Sequence, residues 1–337
     1  MQRLARAVSK WPSPLLGFRA WLGLAHAGIS EAQFAVGQYY FYGKAVPPCL
    51  SEAVRWFQMS ASAGCVAAQS RMAVLAMQGV TVRWLSSTVP ARYRSLFRST
   101  QSAESAPPDF DAALAWGWRA ALRNDVDAMA LVGYLLSFGP PHIRDFSRAR
   151  IWLERAVASG SGRAALSLAL LLTEKASSAN DATKILQLLI QASHEEVPLA
   201  IRLLAISSEY GLGQDRNLDM ATTLYERAAT ARDQFSQAKL GIVKLTGHGA
   251  PVDDVSGETW LRKSALSGGP VAAAILGEMY LVGNLLPINR IEAQRWLDLA
   301  AQCGHKGALR ALGVAYMIGT FGVVDKDSGL RYLVDSI

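Results

Sequence analysis

The stretch Ala272–Gly304, AAAILGEMYLVGNLLPINRIEAQRWLDLAAQCG, holds two helical patterns and the turn between them. Ala272, Leu276 and Gly277 sit at helical spacing, small residues beside an aliphatic one, which suits a helix approached closely by a neighbour. Gly283 ends that pattern where a helix leaves through a left-handed conformation, open to glycine at little cost. Asn289 stands where a second helix starts, able to accept from its orphan amides. Trp296 and Ala300 follow four residues apart, a bulky wedge and a small socket on one face. The unit is helix, glycine turn, capped helix.

Moved in steps of 36 residues, this unit overlays the rest of the chain. Gly133, Ala169, Ala205, Gly241, Gly277 and Gly313 form one series without a slip, and Gly37 and Ala73 hold the same slot ahead of a 24-residue insert. Five residues before stand Ala32, Ala68, Ala128, Ala164, Ala200, Ser236, Ala272 and Ala308; one before stand Val36, Met72, Val132, Leu168, Leu204, Leu240, Leu276 and Leu312. Six after come Gly43, Gly79, Gly139, Lys175, Gly211, Gly247, Gly283 and Gly319. Twelve after, Asp or Asn recurs at Asp109, Asp145, Asp181, Asn217, Asp253, Asn289 and Asp325, with Cys49 the exception. Nineteen after stand Trp56, Trp116, Trp152, Leu188, Leu224, Trp260, Trp296 and Tyr332, each followed four residues later by Ala or Ser. No alternating run is long enough to predict a strand. A fixed period of this length is the signature of a stacked-repeat solenoid.

The pattern Ala-x-x-x-Leu-Gly-x-x-Tyr-x-x-Gly, then Asp, then Ala-x-x-Trp-x-x-x-Ala-Ala-x-x-Gly is similar to the Sel-one-like repeat (SLR), a relative of the tetratricopeptide repeat. Ala272–Gly304 and Ala32–Gly64 are the best copies, and Ala308 onward matches well. The fourth copy departs furthest, with Lys175 for glycine, Ile185 for alanine and Leu188 for tryptophan, which predicts a looser or differently curved stack. The resemblance covers about residues 14–337. It implies an all-α fold, a right-handed α-solenoid (superhelix) of about eight 36-residue helix-turn-helix repeats with an N-terminal half-repeat. It also implies a non-enzymatic scaffold or adaptor for protein partners, as in bacterial envelope, secretion or signalling complexes. The alternative is an inhibitor or immunity protein that blocks a toxin or enzyme.

Residues 1–30 read in two ways, and residues 31–337 as the solenoid with an insert at about 81–108. As a capping half-repeat, Ser13 falls in the capping slot, Pro14 takes the first helical position and Gly28 stands one period before Gly64. As a targeting segment, Arg3, Arg6, Lys10 and Arg19 precede any acid, and Ala25-His26-Ala27 resembles a signal-peptidase site, although Arg19 interrupts the apolar run. Cys49, Cys65 and Cys303 fall at unrelated slots, which favours a reducing compartment or free buried thiols. A cytoplasmic location follows, with a periplasmic or organellar one if the N-terminus is a targeting segment. There is no apolar run of membrane-spanning length.

With 51% apolar and 18% charged residues the chain can bury a continuous core. A net charge of +7 suggests nucleic acid, but no helix-turn-helix or RNA-binding motif accompanies it. His26, His142, His194, His248 and His305 sit at unrelated slots, without the i, i+4 spacing of a helical metal site. Gly211-Leu212-Gly213 and Gly247-His248-Gly249 belong to the repeat turns rather than to phosphate loops. The expectation is no catalytic residue, no metal and no cofactor.

Candidate binding residues come from two places. In tetratricopeptide arrays the first helix of each unit lines the concave side. By that analogy Phe34, Gln38, Phe41, Tyr42, Tyr134, Phe138, Arg202, Glu209, Tyr210, Glu278 and Arg310 line a groove for an amphipathic helix or extended peptide. The competing reading packs several of them between neighbouring repeats. In the insert, Arg83, Trp84, Arg92, Tyr93, Arg94, Phe97 and Arg98 interleave basic and aromatic side chains, and Pro90 can open a short helix. That composition suits docking to an acidic protein, to nucleic acid or, through the insert or the N-terminus, to a membrane surface; a loop folded back on the solenoid is the plainer reading. The identity of the protein or peptide partner and the oligomeric state stay open at this point.

Overall fold

The alternation of wedge, socket, glycine and cap produces one helix after another along the chain. A computed structural model describes residues 14–82, 103–105, 107–174, 179–322 and 324–336. Helix α1 (Pro14–His26) precedes eight helical pairs. These are α2 (Ser30–Tyr42) with α3 (Leu50–Ser62), α4 (Val66–Met77) with α5 (Phe110–Ala121), α6 (Val126–Phe138) with α7 (Phe146–Ala158), and α8 (Gly162–Thr173) with α9 (Ala179–His194). There follow α10 (Pro198–Tyr210) with α11 (Leu218–Thr230), α12 (Gln234–Thr246) with α13 (Asp254–Leu266), α14 (Pro270–Val282) with α15 (Arg290–Gln302), and α16 (Lys306–Ile318) with α17 (Lys326–Asp335). The all-α repeat fold read from the 36-residue period is therefore present.

The chain divides into two units, residues 1–171 and 172–337. In the first, α1 packs on α2 and consecutive helices stack through α7; in the second, the same neighbour-on-neighbour order runs from α9 to α17. The insert leaves between α4 and α5, the turn where the register places it. At its feet β1 (Val80–Val82) and β2 (Ala103–Ser105) pair antiparallel, Val80 opposite Ser105. This ribbon corrects the expectation of no strand: three residues a side are too few for alternation to register in a sequence.

The repeat slots perform the jobs their chemistry suggests. The alanines and aliphatics of the first helices are buried throughout, from Ala32 and Val36 to Ala308 and Leu312. Asp109, Asp145, Asn217, Asp253, Asn289 and Asp325 each accept from the amide three residues on, satisfying an orphan donor. Cys49 makes no such bond, and Asp181 lies inside the first turn of α9 rather than before it. Gly43, Gly211, Gly247, Gly283 and Gly319 are left-handed, but Gly139 is not: its φ is −69°. There a 3-10 turn over Pro141–Ile143 redirects the chain, and glycine is needed because a Cβ would strike the Leu135 carbonyl and Ile143.

Close packing recurs one residue beyond the wedge slot. Phe57, Leu153, Leu261 and Leu297 are fully buried. A Cβ on Gly37, Gly133, Gly241 or Gly277 would lie 2.5–2.7 Å from the nearest atom of these side chains. Glycine at the reference slot is thus the socket for a fully buried side chain of the following helix.

Candidate protein-docking surface

On α4 and its C-cap, Ala67, Arg71, Val74 and Gln78 follow i, i+4, i+7, i+11 and so form one stripe; on α6, Asp127, Leu131 and Tyr134 follow i, i+4, i+7. These stripes, with Phe34, Met77 and Arg163, line a 670 Å³ groove in the first unit. Arg71 is held in place, its guanidinium 5.4 Å from the Phe41 ring and donating to the Tyr42 hydroxyl at 3.4 Å. Arg163 is exposed and in no ion pair among the described residues. Tyr134 is 42% exposed, its ring 5.4 Å from that of Phe138.

The other candidates divide between surface and core. Phe34 and Phe41 are half-buried, their rings 5.4 and 6.1 Å from Phe57, so both also serve the fold. Gln38 is half-buried, and Tyr42 and Tyr210 are exposed. In the second unit Arg202 pairs with Asp233 at 3.1 Å and lies over Phe235. Glu209 accepts from the Tyr225 hydroxyl and from Lys239, both at 2.6 Å, and so ties α10 to α11 and α12. Burial and the Glu209 bond push the Tyr225 hydroxyl far above the usual tyrosine range. Glu278 and Arg310 line a separate 380 Å³ recess with Leu281, Ala311, Val314 and Ile318.

Only some of the predicted residues therefore share a groove: Phe34 and Tyr134 in the first unit, Glu278 and Arg310 in the second. Arg71 and Arg163 were not singled out from the sequence; Arg71's place on the helical stripe with Val74 is the signal that could have found it. Arg83, Trp84, Arg92, Tyr93, Arg94, Phe97 and Arg98 lie outside the described residues. Among the described residues no group of His, Cys, Asp or Glu is arranged to hold a metal, and no helix is long and apolar enough to cross a membrane. His305 has a structural task, its Nδ1 accepting from Ala308 N at the start of α16.

A family model for the Sel1 repeat matches residues 30–65, 126–161, 198–233, 234–269, 270–305 and 307–333, more than half of the chain. The chain belongs to the Sel1 repeat family. The pairs left unmatched are the second, which carries the insert, and the fourth, whose slots depart furthest. Among solved structures, a protective antigen of uropathogenic Escherichia coli with an SLR fold is similar over 95% of this chain, with a TM-score of 0.70 and 21% identity. The chain spans 63% of that protein's length. A Sel1 repeat protein from Oxalobacter formigenes is similar over 96% of this chain and 89% of its own, with a TM-score of 0.60 and 22% identity. At these identities the likeness is one of fold. No curated protein sequence matches the chain. Sel1 repeats generally build protein-interaction scaffolds, and their repeat carries no catalytic motif.

Proposed function

We propose that this Sel1 repeat chain is a non-enzymatic scaffold that binds a helix or extended peptide of a protein partner in the groove between α4 and α6. The observation that carries this reading is the groove itself: two facing helical stripes, an exposed Tyr134, and arginines at Arg71 and Arg163. An aromatic ring with a polar tip and a cation on a rigid wall is the side-chain equipment that anchors protein partners. The chain's excess positive charge lies elsewhere. Residues 1–13 and 83–102 contain Arg3, Arg6, Lys10, Arg83, Arg92, Arg94 and Arg98 and no acid, which accounts for the whole net charge of +7. Groove binding should accordingly depend little on salt, whereas contact through the insert should weaken as salt screens it.

A partner captured by crosslinking from the source cell and then purified tests the proposal. Tyr134→Ala combined with Arg163→Glu should weaken its binding tenfold or more, about 1.4 kcal/mol, with the helical circular dichroism unchanged. Unaltered affinity in that variant sinks the groove. If deletion of residues 83–102 instead abolishes binding and its salt dependence, the insert is the docking element.

A further inference from the structure

In the second unit one set of repeat slots is furnished twice, the first time around a cation. Between the sixth and seventh pairs, the Arg262 guanidinium of α13 lies 5.3 Å from the Trp296 ring and 5.8 Å from the Tyr280 ring. It donates to Glu258 at 2.6 Å, and to Glu292 and the Tyr280 hydroxyl, both at 3.0 Å. An arginine thus occupies the seam between α13 and α15, set over aromatic rings and held by carboxylates. One period later the slots of Glu258, Arg262, Tyr280 and Trp296 hold Gln294, Asp298, Tyr316 and Tyr332. The aromatic pair is kept, but the cation has become an acid.

The seventh and eighth pairs bring these four side chains together. Gln294 donates through its amide nitrogen to the Tyr316 hydroxyl at 2.8 Å. The Tyr316 and Tyr332 rings stack with centroids 5.7 Å apart and planes at 8°, and Phe321 meets Tyr316 edge-on at 5.5 Å. Burial, and then the charge of Asp298, raise both tyrosine hydroxyls above their usual value, so the carboxylate stands near both. Asp298 itself takes no hydrogen bond or ion pair among the described residues, and burial alone pushes its carboxyl above the ordinary 3.8. It also borders a 540 Å³ recess along α15, so a side chain from outside can reach it; the basic residues of that recess, Arg262 and Arg295, pair with Glu292 instead. Arg331 bears on Tyr332 without pairing with Asp298, and Asp325, the cap of α17, adds negative charge near Tyr316. A half-buried carboxylate without a donor is unfavourable, and a cation set beside it removes that cost.

We propose that Asp298, Gln294 and the Tyr316–Tyr332 stack receive an arginine side chain of a protein partner, in the role that Arg262 plays one junction earlier. A planar guanidinium can lie on a ring face and direct two N–H donors at one carboxylate, which an ammonium cannot do. The Gln294 carbonyl oxygen offers a further acceptor, since its amide nitrogen is engaged with Tyr316. The receptor lies wholly within the second unit, and its occupation does not depend on the groove between α4 and α6.

An NMR titration of the isotope-labelled 337-residue chain with N-acetylarginine methylamide tests this assignment. Saturable shifts should appear at Asp298, Tyr316, Tyr332 and their neighbours. The citrulline analogue, of the same shape without the charge, should bind about tenfold more weakly or worse, and the lysine analogue should also bind more weakly. Asp298→Asn should lower affinity for the arginine probe by about tenfold or more, with the helical circular dichroism unchanged. Asp298→Arg, which supplies the guanidinium from within the chain, should abolish binding of the probe. Asp335→Asn removes an exposed acid of the same unit outside the site and should change nothing. The absence of saturable shifts at these residues overturns the proposal, as does an Asp298→Asn chain that binds as tightly as the wild type. Equal binding of the citrulline or the lysine analogue overturns it too, the first by removing the need for charge and the second the need for a guanidinium.

Discussion

At Gly277 a single methyl group decides how closely two helices can approach. A Cβ there would lie 2.6 Å from Leu297 Cγ, so Gly277→Ala should cost about 1–3 kcal/mol through overpacking. Leu297→Ala, which empties the same socket, should cost about 2–5 kcal/mol. Made together in a urea-melt cycle, the two losses should fall short of their sum by about 0.5 kcal/mol or more, because the shorter side chain makes room for the new methyl. Strict additivity would mean that the two side chains do not share this contact. The second pair already shows such an exchange: Ala73 replaces the glycine, and Gly117 replaces the bulky residue that would fill its socket. A second residue-scale signal lies in the turns between pairs, where Gly28, Gly64, Gly160, Gly268 and Gly304 take positive φ. Asn124, Glu196 and Arg232 occupy the same slot with φ of 62°, 53° and 65°. Left-handed backbone strains an L-residue, so Arg232→Gly should raise stability by about 0.5–1 kcal/mol, less than the full strain because glycine also loosens the unfolded chain. A lower melting midpoint for Arg232→Gly would contradict this.

At the scale of a helix, the wedge slot separates into two groups. Trp56, Trp152 and Trp296 are buried, whereas Trp116, Trp260 and Tyr332 are half-buried. Trp152→Ala and Trp296→Ala should each cost about 3–5 kcal/mol, and Trp260→Ala clearly less, with chemical denaturation as the measure. Trp296 also donates through its indole nitrogen to Glu292 at 3.0 Å, and Arg262 crosses from α13 to the same carboxylate. Partial burial opposes ionisation of Glu292, but these donors and the arginine charge outweigh it and hold the carboxyl below the ordinary 4.5. A group held below its unfolded value stabilises the fold above that value and loses the contribution as pH falls through the folded one. Stability should therefore decline as pH drops below about 4.5, and Glu292→Gln should flatten that acid limb in urea midpoints taken against pH. The first helix has its own test. Phe18, Trp21 and Ala25 of α1 form one buried cluster with Ala32, Val36 and Trp56. Removing residues 1–27 should uncover that cluster and lower the melting temperature; an unchanged melt would leave the segment without a structural task.

Within each unit the helical pairs rest on their immediate neighbours, so distant changes should act independently. Phe57→Ala and Leu297→Ala, six pairs apart, should add to within about 0.5 kcal/mol wherever unfolding stays cooperative. Deleting residues 83–102 and closing the ribbon between Val82 and Ala103 with a short turn should leave the helical signal of circular dichroism intact, since α4 and α5 keep their register without the insert. A collapse of that signal would show that the insert supports the second pair.

Reading the sequence alone determined the repeat, its period, the place of the insert, and most caps and buried slots. Each of those depends on local chemistry repeated many times: a helix needs a cap, a left-handed turn favours glycine, and a seam needs small residues. One copy is ambiguous, but the agreement of eight is not. What the sequence could not show is which side chains of different pairs meet. Glu209 reads as a groove residue until Tyr225 and Lys239, 16 and 30 positions away, are seen to engage it. Arg71 and Arg163 line one groove only because helices from separate pairs stand side by side. The socket formed by the reference glycine also needed tertiary structure, since the contact joins residues 20 positions apart on two helices whose approach distance no pattern of residue types specifies. Periodicity is written along one helix at a time, whereas a binding surface is a property of the distances between helices.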